Sequence, residues 1–152
     1  MSGQRPESVV LDRVAIESLI PHREPFLWLD EVIELTDTLV RARRRVPEDL
    51  PVFSGHYPEF PVLPGVLLCE AAFQAGAVLI AAGGDIPDGL VPVVTRQQET
   101  RFRRMVRPGE VLDIEARLDE TLGAAWFLTG KVSVDGQVAV RLQFACTAAE
   151  AR

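Results

Sequence analysis

Two cysteines, two histidines, one tyrosine and a single lysine among 152 residues exclude several kinds of protein at the outset. Cys69 and Cys146 are too few for a disulfide scaffold; each sits in an apolar stretch and reads as a small hydrophobe in a reducing compartment. With His22 and His56 they show no zinc-type spacing, so no metal site is expected. No glycine-rich phosphate loop is present, since Gly83-Gly84 follows an apolar run instead of preceding one. Ser54 lies two residues before His56 without the nucleophile-elbow pattern, which argues against a covalent serine mechanism. The start, Met1 to Glu7, has no apolar leader, so a cytoplasmic enzyme or binding domain is the expectation. A net charge of −6 argues against general nucleic-acid binding. Of the sixteen basic residues, fifteen are arginine.

What the chain has is apolar material. Hydrophobic residues make up 47% and charged residues 25%, enough for one core and too little chain for two. Residues 1–12 read as a loose arm and residues 13–152 as one domain, with no internal repeat. Val14 to Ile20 suits a short helix capped by Asp12 and ended by Pro21. Phe26 to Leu35 is β-rich, and Thr36-Asp37-Thr38 is a turn into a second strand, Leu39 to Val46. Pro47 to Pro64 holds five prolines, which forbid a regular element. Its aromatics, Phe53, Tyr57 and Phe60, favour an ordered loop.

Gly65 to Ala82 dominates the apolar pattern. Pro64 suits a helix start and Gly83-Gly84 a stop, and eighteen residues of helix span roughly 27 Å. Glu70 and Gln74 interrupt the run four residues apart, on one face, so a core helix is expected and not a membrane span. The last third alternates: Val111 to Leu118, Trp126 to Val134, and Val138 to Cys146 each carry one apolar face. Asp135-Gly136 is a hairpin signal. A long apolar helix with several one-faced strands predicts an α+β protein, an antiparallel sheet wrapped over that helix.

Three places can carry chemistry. His56, in Gly55-His56-Tyr57-Pro58, is placed on an ordered loop where an imidazole titrates near neutral pH and can act as a base. Glu70 is a carboxyl on an apolar helix, where burial favours the neutral form that serves as a proton donor; pairing with an arginine is the alternative. Gln74 shares its face and is expected to support it. Pro64-Gly65 offers free helix N–H groups to a carbonyl oxygen gaining charge, with no side chain to block approach. Arg96, Arg101, Arg103, Arg104 and Arg107 form a basic island on an acidic protein, fit for an acidic partner or a phosphate, or else a solvated strand face. Arg41, Arg43, Arg44 and Arg45 are read only as a solvated face.

Together these motifs resemble the FabZ-type (3R)-3-hydroxyacyl-[acyl-carrier-protein] dehydratases. Pro21-His22-Arg23-Glu24-Pro25-Phe26-Leu27, Gly55-His56-Tyr57-Pro58 and Pro61-Val62-Leu63-Pro64-Gly65-Val66-Leu67-Leu68-Cys69-Glu70-Ala71 carry the likeness. It continues through Arg101 to Arg104 and Arg107 to Glu110, and covers the chain from about Ile16 onward. The resemblance implies a hot-dog fold and a homodimer with shared active sites, often a trimer of dimers. It also implies an acyl carrier protein with a pantetheine-linked acyl chain as substrate, and no cofactor. His56 would take the C2 proton, Glu70 of the second copy would protonate the leaving hydroxyl, and Gly65 N–H would bind the thioester carbonyl. Gln74, Tyr57 and Phe60 would line the substrate site, and the arginine island would dock the carrier. Glutamate at position 70, where FabA-type enzymes carry aspartate, favours the FabZ side. Glu59-Phe60, Gln98, Met105 and Cys69 depart from the family pattern without touching His56, Gly65 or Glu70, which leaves room for a specialised acyl pathway beside fatty-acid synthesis. A hot-dog thioesterase and a catalytically silent acyl- or carrier-binding module are the alternatives.

Overall fold

The computed structural model describes residues 9–150. Helix α1 (Arg13–Leu19) is followed by β1 (Glu31–Leu35), β2 (Leu39–Arg45), a 3-10 turn at Pro51–Ser54 and the long helix α2 (Gly65–Ala82). Strands β3 (Leu90–Phe102), β4 (Val111–Leu122), β5 (Ala125–Val134) and β6 (Gln137–Glu150) complete the chain. All six strands form one antiparallel sheet in the order β1-β2-β4-β5-β6-β3. The sheet curls around α2, which packs on β2, β3, β4, β5 and β6. This is the hot-dog fold.

The wrap follows from residue size. Ala71, Ala72, Ala75 and Gly76 of α2 are buried against the strands, and small side chains let the sheet approach closely. A Cβ at Gly76 would come within 2.8 Å of the Phe144 ring, and one at Gly130 within 3.0 Å of the Ala72 methyl. The helix is long and apolar enough to cross a bilayer, yet most of it is enclosed by the sheet, as a core helix must be.

Most expected elements are present with modest shifts. Asp12 caps α1 by accepting from the Ala15 N–H at 2.9 Å, and Ile20 turns extended before Pro21. Thr36 Oγ1 accepts from the N–H groups of Thr38 and Leu39, closing the turn between β1 and β2. Asp135 and Gly136 both have positive φ (49° and 76°), as a tight hairpin turn requires. Of the N-terminal arm, Val10 and Leu11 hydrogen-bond to Val32 of β1; residues 1–8 lie outside the described ones.

Three expectations change, and one strand lies outside those predicted. Phe26 to Asp30 is not strand: at Phe26 and Trp28 the backbone is bonded by the buried Gln74 side chain, and only Asp30 N–H reaches β2, at the Arg43 carbonyl. The proline-rich segment does hold a regular piece, the turn at Pro51–Ser54, with Pro51 at its first position. Arg44 is not solvated. The strand period puts it on the inner face with Val40 and Ala42, where it is 5% exposed, bonded to Asp30 at 2.9 Å and laid over the Trp28 ring. Arg13 joins the same carboxylate at 2.7 Å and also pairs with Glu24, so the N-terminal loop is tied to β2 by charge. Finally, residues 90–102 form a strand whose period is broken by irregularities after Val94 and Gln98, with Glu99 at φ 53°. It pairs only with β6 and is the sheet's far edge.

Candidate active site

The loop that carries His56 is closed by its own backbone. Val62 N–H donates to the His56 carbonyl at 2.9 Å, and Tyr57 and Phe60 exchange bonds across the turn. His56 Nδ1 lies 2.7 Å from the Val62 carbonyl oxygen. A carbonyl can only accept, so Nδ1 carries a proton, and in the neutral ring Nε2 is then the bare nitrogen that a general base needs. The Tyr57 ring stacks on the imidazole with centroids 4.4 Å apart.

His56 opens onto a mostly apolar groove of about 550 Å³, lined also by Gly65, Val66, Phe102, Arg103 and Met105. No side chain caps the start of α2, so its first N–H groups remain available to a ligand. Gly65 is required there: a Cβ would fall 2.6 Å from the Phe102 ring, which lies against the helix start. Val66 is 71% exposed, and Tyr57, Phe60, Phe102 and Met105 are exposed nearby in sequence or on the groove wall. These exposed apolar groups, near the groove that Phe102 at the end of the edge strand also lines, form the kind of surface that suits contact with a partner or ligand.

Glu70 does not line this groove. One helical turn on from the groove-lining Val66, it faces the loop between α1 and β1. There its carboxyl, 21% exposed, meets two groups. Gln74 Nε2 donates to Glu70 Oε1 at 3.1 Å, and His22 Nε2 stands 3.7 Å from the same oxygen. Gln74 itself is fully enclosed. It accepts from the Trp28 N–H at 2.7 Å and donates to the Phe26 carbonyl at 2.8 Å. That pair of bonds keeps Phe26 to Trp28 out of the sheet and presses the loop on α2. Gln74 therefore acts on Glu70 and the loop, and has no surface left for the substrate contact expected of it.

The remaining expected residues divide. Tyr57 and Phe60 are not among the groove-lining residues; Phe60 lies under the Arg107 guanidinium, 3.9 Å from ring centre to Cζ. Arg103 and Arg104 do line the groove. Arg104 is held by Glu110 at 2.8 Å and Gln137 at 2.9 Å, so part of its charge is already matched. Arg96 lines a separate small cleft with Asp119 and Gln143, and seven residues of strand put it roughly 20 Å from Arg103. The five arginines are thus no single patch. Phe102 was assigned no role of its own from the sequence; His22 appeared there as a rejected metal ligand and within the Pro-His-Arg motif, and Met105 as a departure from the family pattern.

The hot-dog domain thus brings an imidazole and an open helix start to one groove and holds a carboxyl beside the N-terminal loop. A family model described as the FabA-like domain matches residues 20–143. The FabZ 3-hydroxyacyl-[acyl-carrier-protein] dehydratase of Anaeromyxobacter dehalogenans (strain 2CP-1) is 40% identical over 148 residues, covering 95% of this chain and 94% of that one. The chain of a solved dehydratase heterocomplex, ApeI:P from Xenorhabdus doucetiae, superposes with TM-score 0.73 at 23% identity, covering 90% of this chain and 91% of that one. A hypothetical thioesterase from Streptococcus pneumoniae, solved with coenzyme A, superposes with TM-score 0.62 at 14% identity over 80% of this chain and 87% of that one, a likeness of fold alone. The chain belongs to the FabA-like family, on its branch of FabZ 3-hydroxyacyl-[acyl-carrier-protein] dehydratases.

Replacing Gln74 by leucine strands the Phe26 carbonyl and the Trp28 N–H inside the protein, at about 1–3 kcal/mol for each unsatisfied group. Urea unfolding of Gln74→Leu is expected to show a lower midpoint by that measure. An unchanged midpoint would mean these bonds do not hold the loop.

Proposed function

We propose that this protein removes water from (3R)-3-hydroxyacyl chains carried on an acyl carrier protein, giving trans-2-enoyl thioesters for fatty-acid or related acyl-chain synthesis, in sites built from two copies of the chain. The observation that carries the two-copy site is the separate placement of base and acid. His56 and Gly65 share one groove, whereas the Glu70 carboxyl does not line it and turns instead to Gln74 and His22. A second copy related by a twofold axis would bring its Glu70 to the first copy's His56, and the reverse, forming two equal sites. The exposed edge of β3, with Val93 and Val94, and the apolar groups around His56 supply the contact surface. A dimer is the smallest active unit, and a trimer of dimers is compatible with it.

In such a site the thioester carbonyl accepts from the N–H at Gly65, which makes the C2 hydrogen acidic. His56 Nε2 takes the C2 proton. The C3–O bond breaks as Glu70 of the second copy gives its proton to the departing hydroxyl, which leaves as water. The C2 electron pair becomes the C2=C3 double bond. His56 is left protonated and Glu70 ionised, and proton exchange resets both. No cofactor or metal takes part in this scheme. The protein is expected to work in the cytoplasm, where acyl chains are built on carrier protein.

Carrier docking is assigned to the groove mouth, where Arg103 and Arg104 stand, and no longer to all five arginines. Tyr57 and Phe60 serve the His56 loop: one stacks on the imidazole, the other seats Arg107.

The direct test follows hydration of crotonyl thioester by loss of ultraviolet absorbance. His56→Ala and Glu70→Gln are each expected to lower the rate by about 10²–10⁴. Full activity in both variants, or release of free thiol by the native protein, would reject the dehydratase site. For docking, Arg103→Glu is expected to raise KM for carrier-bound substrate, in a salt-sensitive way, and to leave KM for a short acyl-CoA unchanged. Equal effects on the two substrates would remove Arg103 from the docking surface.

A further inference from the structure

His22 stands on the loop after α1, and that loop is firmly held. The Arg23 guanidinium donates to the carbonyls of Glu17, Ile20 and His22, at 2.7–2.9 Å. This sets His22 Nε2 opposite Glu70 Oε1, 3.7 Å away, with side chains 27% and 21% exposed. The other ring nitrogen, Nδ1, is buried with no hydrogen-bond partner among the described residues. A proton on Nδ1 would point at nothing, whereas one on Nε2 points at a carboxyl oxygen, so the ring carries its proton on Nε2.

The orientation of Gln74 adds a second constraint. Trp28 N–H can only donate, so the Gln74 atom facing it is the carbonyl oxygen, and the amide NH₂ faces Phe26 and Glu70. Glu70 Oε1 therefore always receives an N–H. When the carboxyl is neutral, its own proton must sit on Oε2, to which no bond is made among the described residues. Two N–H groups thus converge on one oxygen and leave the other free to act.

We propose that His22 is a positioning residue for the acid: with Gln74 it reserves Oε1 of Glu70 as an acceptor, keeps the transferable proton on Oε2, and closes on Oε1 as the carboxyl gives that proton up. The proposal rests on Glu70 being the proton donor. The 3.7 Å separation is longer than a hydrogen bond, and a small turn of either side chain closes it once negative charge develops on the carboxylate. The donor then stabilises the product of proton transfer, which favours transfer itself. His22 remains uncharged in this role. Burial pushes its imidazole below the usual range, Glu70 opposes that push and Arg23 adds to it. The other titratable group at the site is Cys69, whose thiol is raised by burial and by Glu70 against a bond from Gln97, and so stays protonated.

Two polar substitutions separate a positioning role from a packing role. The amide nitrogen of glutamine reaches where His22 Nε2 stands; that of asparagine reaches only the Nδ1 position. Dehydration of a 3-hydroxybutyryl thioester is followed against pH for both, at a temperature where circular dichroism shows each folded. His22→Asn is expected to lower kcat about tenfold with KM little changed, and to move the high-pH loss of rate upward, because the carboxylate has lost a donor. His22→Gln is expected to keep both kcat and the pH profile near native. If the two variants behave alike, whether both native or both impaired, the proposal is wrong. Glu70→Gln, assayed beside them, isolates the underlying reading: if it retains the dehydration rate, the acid assignment itself fails, whatever the His22 variants do.

Discussion

The placement of the Glu70 carboxyl outside the groove of His56 within one chain governs this protein. Glu70 follows the groove-lining Val66 by one helical turn, yet its carboxyl is drawn to Gln74 and His22 on the side of the N-terminal loop. The sheet fixes the helix in that setting, since α2 is gripped by five strands through alanine and glycine contacts that leave little slack. The proposed base and acid therefore stand apart within each copy. In the proposed dimer, two copies meeting across a twofold axis would turn this separation into a pair of sites and tie activity to assembly.

Placing a carboxyl on such a helix is costly unless its neighbours are fixed, and here the N-terminal loop supplies them. Gln74 bonds the backbone of Phe26 and Trp28, and Asp30 is gripped by Arg13 and Arg44. These contacts join residues up to 48 positions apart, and each satisfies a polar group that the fold has enclosed. In the proposed site the loop is thus as much a part of the catalytic apparatus as the His56 turn, although it contributes no base. The apolar groove, with Phe102 against Gly65 and arginines at its mouth, would there give an acyl chain an entrance that is greasy within and cationic at the rim.

Much of this was legible in residue order. The long helix, its proline start and glycine stop, the three C-terminal strands and the Asp-Gly hairpin each rest on local patterns, and the structure has them. His56, Gly65 and Glu70 stood out because their residue types sit in unusual surroundings. The misses share a physical cause: each depends on a partner far away in sequence. Phe26 to Asp30 has strand composition, but the buried amide of Gln74 takes the backbone bonds of Phe26 and Trp28. Arg44 looks like its exposed neighbours until Asp30 and Trp28 are set beside it. Residues 90–102 lose the period of two at their irregularities, so the strand does not declare itself. The arginines that looked like one patch are spread along that strand and the loop after it, and Arg104 is matched by Glu110. His22 lay in a motif that was noticed, yet its meaning came only from the oxygen it faces.

The central claim, that each site draws its base from one copy and its acid from the other, is tested most directly by complementation. His56→Ala and Glu70→Gln chains, each inactive alone, are coexpressed so that mixed dimers form. In a mixed dimer one site loses both groups and the other keeps both, so random pairing should restore about one quarter of the native rate. A coexpressed mixture as inactive as its components, with mixed dimers demonstrated by differential tags, would place acid and base in the same chain and contradict the account.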